Sequence, residues 1–154
     1  VGVAPEGFPR AEVFMAAIRQ QINIATSLRS VWNAITTADG VASWLADEAR
    51  VEPRSGGRVV FTHKVPDSDE VVEERGMFHV FRPTRDVEIA WDSAGKAPAR
   101  GTRVSMQIAM DGDEVRLRIV HSGGGILDDD AARDELEKQW KGRLLALRKR
   151  FEEA

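Results

Sequence analysis

The sequence predicts an α+β fold: a curved antiparallel sheet with two short helices and a long C-terminal helix. Three observations carry that prediction. From Val51 to His121 the apolar residues recur with a period of two. Near the C-terminus Leu136, Trp140, Leu144, Leu147 and Phe151 step by four, four, three and four, a single apolar stripe on one helix. Between the first strand and the rest, two short segments carry helical spacing.

The elements follow in order. Residues 1–13 read as a flexible tail, since Val1 to Arg10 contains Pro5, Gly7 and Pro9 and lacks a basic-then-apolar leader pattern. Residues 14–154 read as one domain without an internal repeat or linker. In Ile18 to Ala25, Ile18, Ile22 and Ile24 share one parity while Arg19, Gln21 and Asn23 share the other, which is a half-buried strand. Leu28, Val31, Trp32 and Ile35 then recur at helical spacing, with Ser27 as cap. A second short helix is expected from Ala38 to Ala46, started by Thr37 or Asp39.

Ser55, Gly56 and Gly57 make a turn, after which Val59, Phe61 and His63 share a face. A polar loop spans Val65 to Glu70. Phe78 and Val80 are expected to share the apolar face of a strand that Pro83 ends, with Met77 and Phe81 on the outer face. Val87, Ile89 and Trp91 alternate, as do Val104, Met106 and Ile108, and Asp111-Gly112 is a hairpin signal. Val115, Leu117, Ile119 and His121 close the run, opposite the polar Glu114, Arg116 and Arg118. Consecutive strands with one apolar and one polar face make an antiparallel meander, wet on one side. The last helix, Asp128 to Glu152, is on the order of 36 Å long at 1.5 Å per residue. It can cross the whole sheet, and the sheet's apolar face is its one large partner.

Composition narrows the function. The chain has 154 residues, enough to bury roughly 70% of its unfolded surface without a disulfide or metal. It has no cysteine, so thiol nucleophiles, disulfides and thiolate metal sites are excluded, and a cytoplasmic location is expected. A net charge of -3 without a long basic stripe argues against nucleic acid. No apolar run is long enough to span a bilayer as a helix.

The order strand, two short helices, six strands, long helix is the helix-grip plan. The chain resembles the START-like (SRPBCC) superfamily, in the branch of activators of heat-shock-protein-90 ATPase and related polyketide cyclases. The matching pieces are Val31 to Thr36, Trp44, Gly56-Gly57, Gly76, Pro83 followed by Val87 to Trp91, His121 to Gly124, and Trp140. The resemblance covers about Ile18 to Phe151 and implies a cavity between sheet and helix. It does not imply one activity, because members include lipid and polyketide binders, cyclases and chaperone activators.

Apolar pockets are usually lined by aromatic and aliphatic side chains with few polar groups. Trp44, Phe61, Phe78, Trp91, Met106, Trp140 and Leu144 are the expected lining, or equally plain core. His63 and His121 lie on the apolar parity of their strands, where they either orient a ligand and move protons or bond to backbone or water. His121 and the adjacent Ser122 point to opposite faces, so they form no dyad. No metal or cofactor is expected. Three histidines, with His79 on an outer parity, supply no convergent ligand set, and Asp128 to Asp130 lack the ligand spacing of a calcium loop. These aspartates read as helix caps. Gly123 to Gly125 are followed by no Lys-Ser/Thr pair, so they read as a connection.

The expected partner is a small hydrophobic or aromatic molecule, with no catalytic residue assigned. A cyclase or hydratase using a cavity histidine is the enzymatic alternative. A protein-interaction module, with a chaperone-type partner or a homodimer through the Met77 and Phe81 face, is the other.

Overall fold

Period-two alternation becomes seven antiparallel strands in the computed structural model, which describes residues 17–153 apart from 95, 96 and 98. The expected tail, 1–13, and the first residues of the expected domain lie outside that range. The elements are β1 (Ala17–Ile24), α1 (Leu28–Thr36), α2 (Ala38–Ala42), β2 (Glu48–Val51), β3 (Arg58–Lys64), β4 (Val71–Arg82), β5 (Asp86–Trp91), β6 (Arg103–Asp111), β7 (Glu114–Ser122), a 3-10 turn (Gly125–Asp128) and α3 (Asp130–Glu152). The sheet order is β1-β7-β6-β5-β4-β3-β2. The chain therefore makes one long-range pairing, β1 with β7, and otherwise meanders. This is the α+β helix-grip fold.

The inner face is apolar because alternate residues supply it. Ile18, Ile22 and Ile24 of β1, Val104, Met106 and Ile108 of β6, and Val115, Leu117 and Ile119 of β7 are all buried. Helix α3 lays Leu136, Trp140, Leu144 and Leu147 onto this surface, and Phe151 is half-buried at its end. Gln20 shares the inner parity of β1, and its amide donates to the carbonyl of Glu137 at 2.9 Å, fastening strand to helix.

Helix ends follow side-chain chemistry. Ser27 Oγ accepts from the Ser30 amide at 3.1 Å and starts α1. Thr37 serves two helices: its hydroxyl donates to Asn33 O at 2.8 Å and accepts from the Gly40 amide at 2.9 Å. Asp129 caps α3 by accepting from the Ala132 amide at 2.9 Å, the role expected of this acidic cluster. Helix α2 stops at Ala42, earlier than its apolar spacing predicts. Ser43 Oγ takes the Gly40 carbonyl there, and Trp44 leaves the helix to donate its indole N–H to Ala34 O at 2.8 Å.

Two expectations about strands are corrected. The alternation was expected to begin at Val51, but β2 ends there, since Pro53 and the turn at Gly56-Gly57 follow. In β4 the register shifts between Phe78 and Val80. The extra residue, His79, reverses the alternation beyond it. Val80 consequently pairs with the outward Glu88, while Phe81 pairs with the buried Val87. Phe81 packs edge-on against Phe78 and Trp32, with ring centroids 5.1 and 5.3 Å apart. It thus packs half-buried against the core, and the expected outer patch retains only the exposed Met77.

Candidate functional site: a cleft beneath the C-terminal helix

Between α3 and the sheet lies a cleft of about 630 Å³. Phe61 of β3, Ile89 and Trp91 of β5, and Val104 and Met106 of β6 form its sheet wall. Leu136, Gln139, Trp140 and Arg143 of α3 form the opposite wall. The segment Ala42 to Asp47 and the residues Lys64 to Pro66 flank it. Phe61 stands edge-on to Trp91 at 5.0 Å, and Trp44 is tilted against Trp140 at 6.4 Å, so aromatic rings meet on both sides.

Of the residues expected to line a ligand cavity, Trp44, Phe61, His63, Trp91, Met106, His121 and Trp140 do line this cleft. Phe78 and Leu144 do not. Phe78 is wholly buried in the cluster with Phe81, on the side of the sheet covered by Trp32 of α1, and Leu144 is buried in the core with no face on the cleft.

The two histidines are brought to one cleft but held differently. His121, 2% exposed, has both ring nitrogens engaged. The indole N–H of Trp140 donates to Nδ1 at 3.0 Å. An indole can only donate, so Nδ1 carries the lone pair and Nε2 carries the proton. Nε2–H then donates to Thr102 Oγ1 at 2.7 Å, and the Thr102 hydroxyl donates to Ala99 O. Burial pushes the His121 pKa down to about 4; Glu74 opposes this and Arg143 adds to it. His121 is therefore a neutral, fully bonded link between β7, α3 and the loop before β6. It can move a proton only by breaking that chain.

His63 is half-buried, and its Nε2 lies 2.6 Å from Glu74 Oε1, with the two side chains 23% and 11% exposed. A carboxylate accepts, so Nε2 carries the proton and a neutral ring presents its lone pair at Nδ1. Among the described residues Nδ1 makes no hydrogen bond.

Arg143 also lines the cleft. Its Cζ sits 5.7 Å from the Trp140 ring centre, a cation–π arrangement. Burial lowers its pKa, opposed by the charges of Glu74 and Asp47, yet a guanidinium stays protonated at any physiological pH.

Glu74, Thr102 and Arg143 were not singled out by sequence reasoning. Glu74 shares parity with Phe78 two pairs further along β4, but within the charged run Glu73 to Arg75 it adds nothing to an apolar pattern. Arg143 follows Trp140 by three residues, hence on the flank of the apolar stripe. Thr102 precedes β6 on the inner parity of Val104 and Met106, but its polar side chain and place outside the strand hid it. Among the described residues no group of three His, Asp or Glu could hold a metal ion, and no helix is long and apolar enough to cross a membrane.

Comparison with known proteins agrees with this architecture. No curated protein matches the sequence significantly. Among solved structures, the Aha1 dimer from Colwellia psychrerythraea is 20% identical with a TM-score of 0.73, over 89% of this chain and 96% of that one. The AHSA1-like protein from Aeromonas hydrophila is 18% identical with a TM-score of 0.69, over 86% and 90%. DynU16, a putative protein in the dynemicin biosynthetic locus, is 15% identical with a TM-score of 0.72, over 89% of this chain and 47% of its own. At such identities these likenesses establish the fold. The model of the family described as "Activator of Hsp90 ATPase homolog 1-like protein" matches residues 25–152. With the helix-grip fold and a match over most of its length, the chain belongs to that family, within the START-like superfamily.

Proposed function

We propose that the chain binds a small hydrophobic or aromatic molecule in the cleft between the sheet and the C-terminal helix. The observation that carries this reading is the cleft itself: about 630 Å³, walled by Phe61, Trp91, Met106 and Trp140, with polar side chains such as His63, Glu74 and Arg143 also in its lining. Volumes of roughly 300–1,000 Å³ with such linings suit small-molecule sites. Trp44, Trp91 and Trp140 all border the space, so occupancy should change indole emission. The test is fluorescence titration and thermal shift with fatty acids, polyketides and fused-ring aromatics. Saturable one-to-one binding that raises Tm supports the reading, and no shift with any of these classes overturns it.

One observation favours a second reading, an enzyme of the cyclase or hydratase type. Glu74 holds His63 with one ring nitrogen bonded and the other unbonded, the arrangement of an oriented general base. In that reading His63→Gln and Glu74→Gln abolish turnover of an activated carbonyl substrate without altering its binding. Equal turnover by wild type and His63→Gln overturns it. The dimer reported for the Colwellia relative makes a second copy of this chain the protein partner to test first, by sedimentation.

A further inference from the structure

Resting on the cleft as a ligand site, a finer statement comes from its charges. Four charged residues line the cleft: Asp47, Lys64, Glu74 and Arg143. Both carboxylates have short-range partners. Glu74 bonds His63, and Asp47 accepts from the backbone amide of Lys64. Lys64 is exposed, so its ammonium has solvent. Arg143 differs. It is half-buried on the long helix and packs on the Trp140 ring. Among the described residues its guanidinium has no ion pair within 4.0 Å and no hydrogen bond. A half-desolvated cation without a partner is costly, and a planar guanidinium matches a carboxylate with two parallel bonds.

We propose that the occupant of the cleft is an apolar monocarboxylate, with its hydrocarbon body against Phe61, Trp91 and Met106 and its carboxylate on Arg143. A single negative charge fits better than a phosphate dianion, because Glu74 and Asp47 stand close enough to Arg143 to act on its charge and would repel a second one. Gln139, one turn earlier on the same helix and also on the cleft, can donate to the same carboxylate. His63 and His121 face the site too. His121 has no N–H to spare, since its one proton serves Thr102, and His63 is already held through Nε2 by Glu74.

The test is calorimetric or fluorescence titration with matched pairs: dodecanoate against methyl dodecanoate, and 2-naphthoate against methyl 2-naphthoate. The acid of at least one pair is expected to bind wild type roughly tenfold or more tighter than its ester, the scale of one charge-assisted pair. In Arg143→Met that preference is expected to vanish while ester affinity is kept. Retained ester binding also shows that the variant is folded. Arg143→Lys, which keeps charge but loses the fork, is expected to fall between. Equal binding of acid and ester by wild type, or a preference that survives in Arg143→Met, overturns the proposal and leaves the apolar cleft standing. If neither acid nor ester binds wild type, the reading of the cleft as a ligand site falls with it. The two pairs separate chain-like from ring-like acids.

Discussion

Trp140 and His121 are joined by a 3.0 Å hydrogen bond that crosses from the closing helix to the last strand. The most buried polar ring of the domain thus depends on the residue at the centre of the apolar stripe. Removing the indole strands a lone pair in an apolar site. Trp140→Phe is expected to destabilise the fold by about 1–3 kcal/mol beyond the packing change, the cost of an unsatisfied buried acceptor. Urea unfolding of Trp140→Phe checks it, with His121→Phe and the double variant closing the cycle. Coupling near zero between the two positions would contradict the finding.

Acid sensitivity follows from the same ring. His121 titrates at about 4 in the folded chain against an ordinary value of 6.5. Its folded pKa is depressed, so the unfolded chain takes up the proton first. Stability is then fully present above pH 6.5 and declines as pH falls toward about 4, by on the order of 3 kcal/mol in all. Unfolding free energy measured between about pH 7 and pH 4.5 should show this slope in wild type and lose most of it in His121→Gln. Parallel slopes would refute it.

Gly76 sits on β4 where the backbone and a ring of β5 come close. A Cβ at this position would lie 2.5 Å from Ala90 O and 2.9 Å from Trp91 Cε3. Neither backbone nor packed indole can yield cheaply. Gly76→Ala is expected to cost roughly 1–3 kcal/mol and to shift Trp91, which borders the cleft. Thermal unfolding and indole emission report the two effects together.

The cap of the long helix is testable alone. Asp129→Ala removes the acceptor for the Ala132 amide and is expected to cost about 0.5–2 kcal/mol, while Asp128→Ala, which caps nothing, costs less. Circular dichroism during chemical unfolding measures both.

The order of elements was legible because period two and period 3.6 are set by backbone geometry, and the stripe from Leu136 to Leu147 is buried as its spacing requires. Local irregularities were less so. A bulge costs one residue and leaves no compositional mark, so the reversal that turns Phe81 inward could not be read from alternation. The cleft's aromatic residues were legible as large apolar side chains on inner parities. Which of them face open space and which face one another depends on how sheet and helix pack together, and Phe78 and Leu144 are buried away from the cleft. The partners of His63 and His121 depend on juxtaposed elements: Glu74 lies on the next strand, and Thr102 and Trp140 are each nineteen residues from His121.

The long helix is fastened at two successive turns, by Gln20 at Glu137 and by His121 at Trp140. A beam clamped so near its start makes a poor door. Traffic into and out of the cleft is left to the thresholds after β3 from Val65, since Trp44 and Asp47 tie the connection Ala42 to Asp47 to Ala34 and Lys64. In hydrogen exchange those thresholds would breathe first, while the helix roof over Leu136 and Trp140 stayed shut.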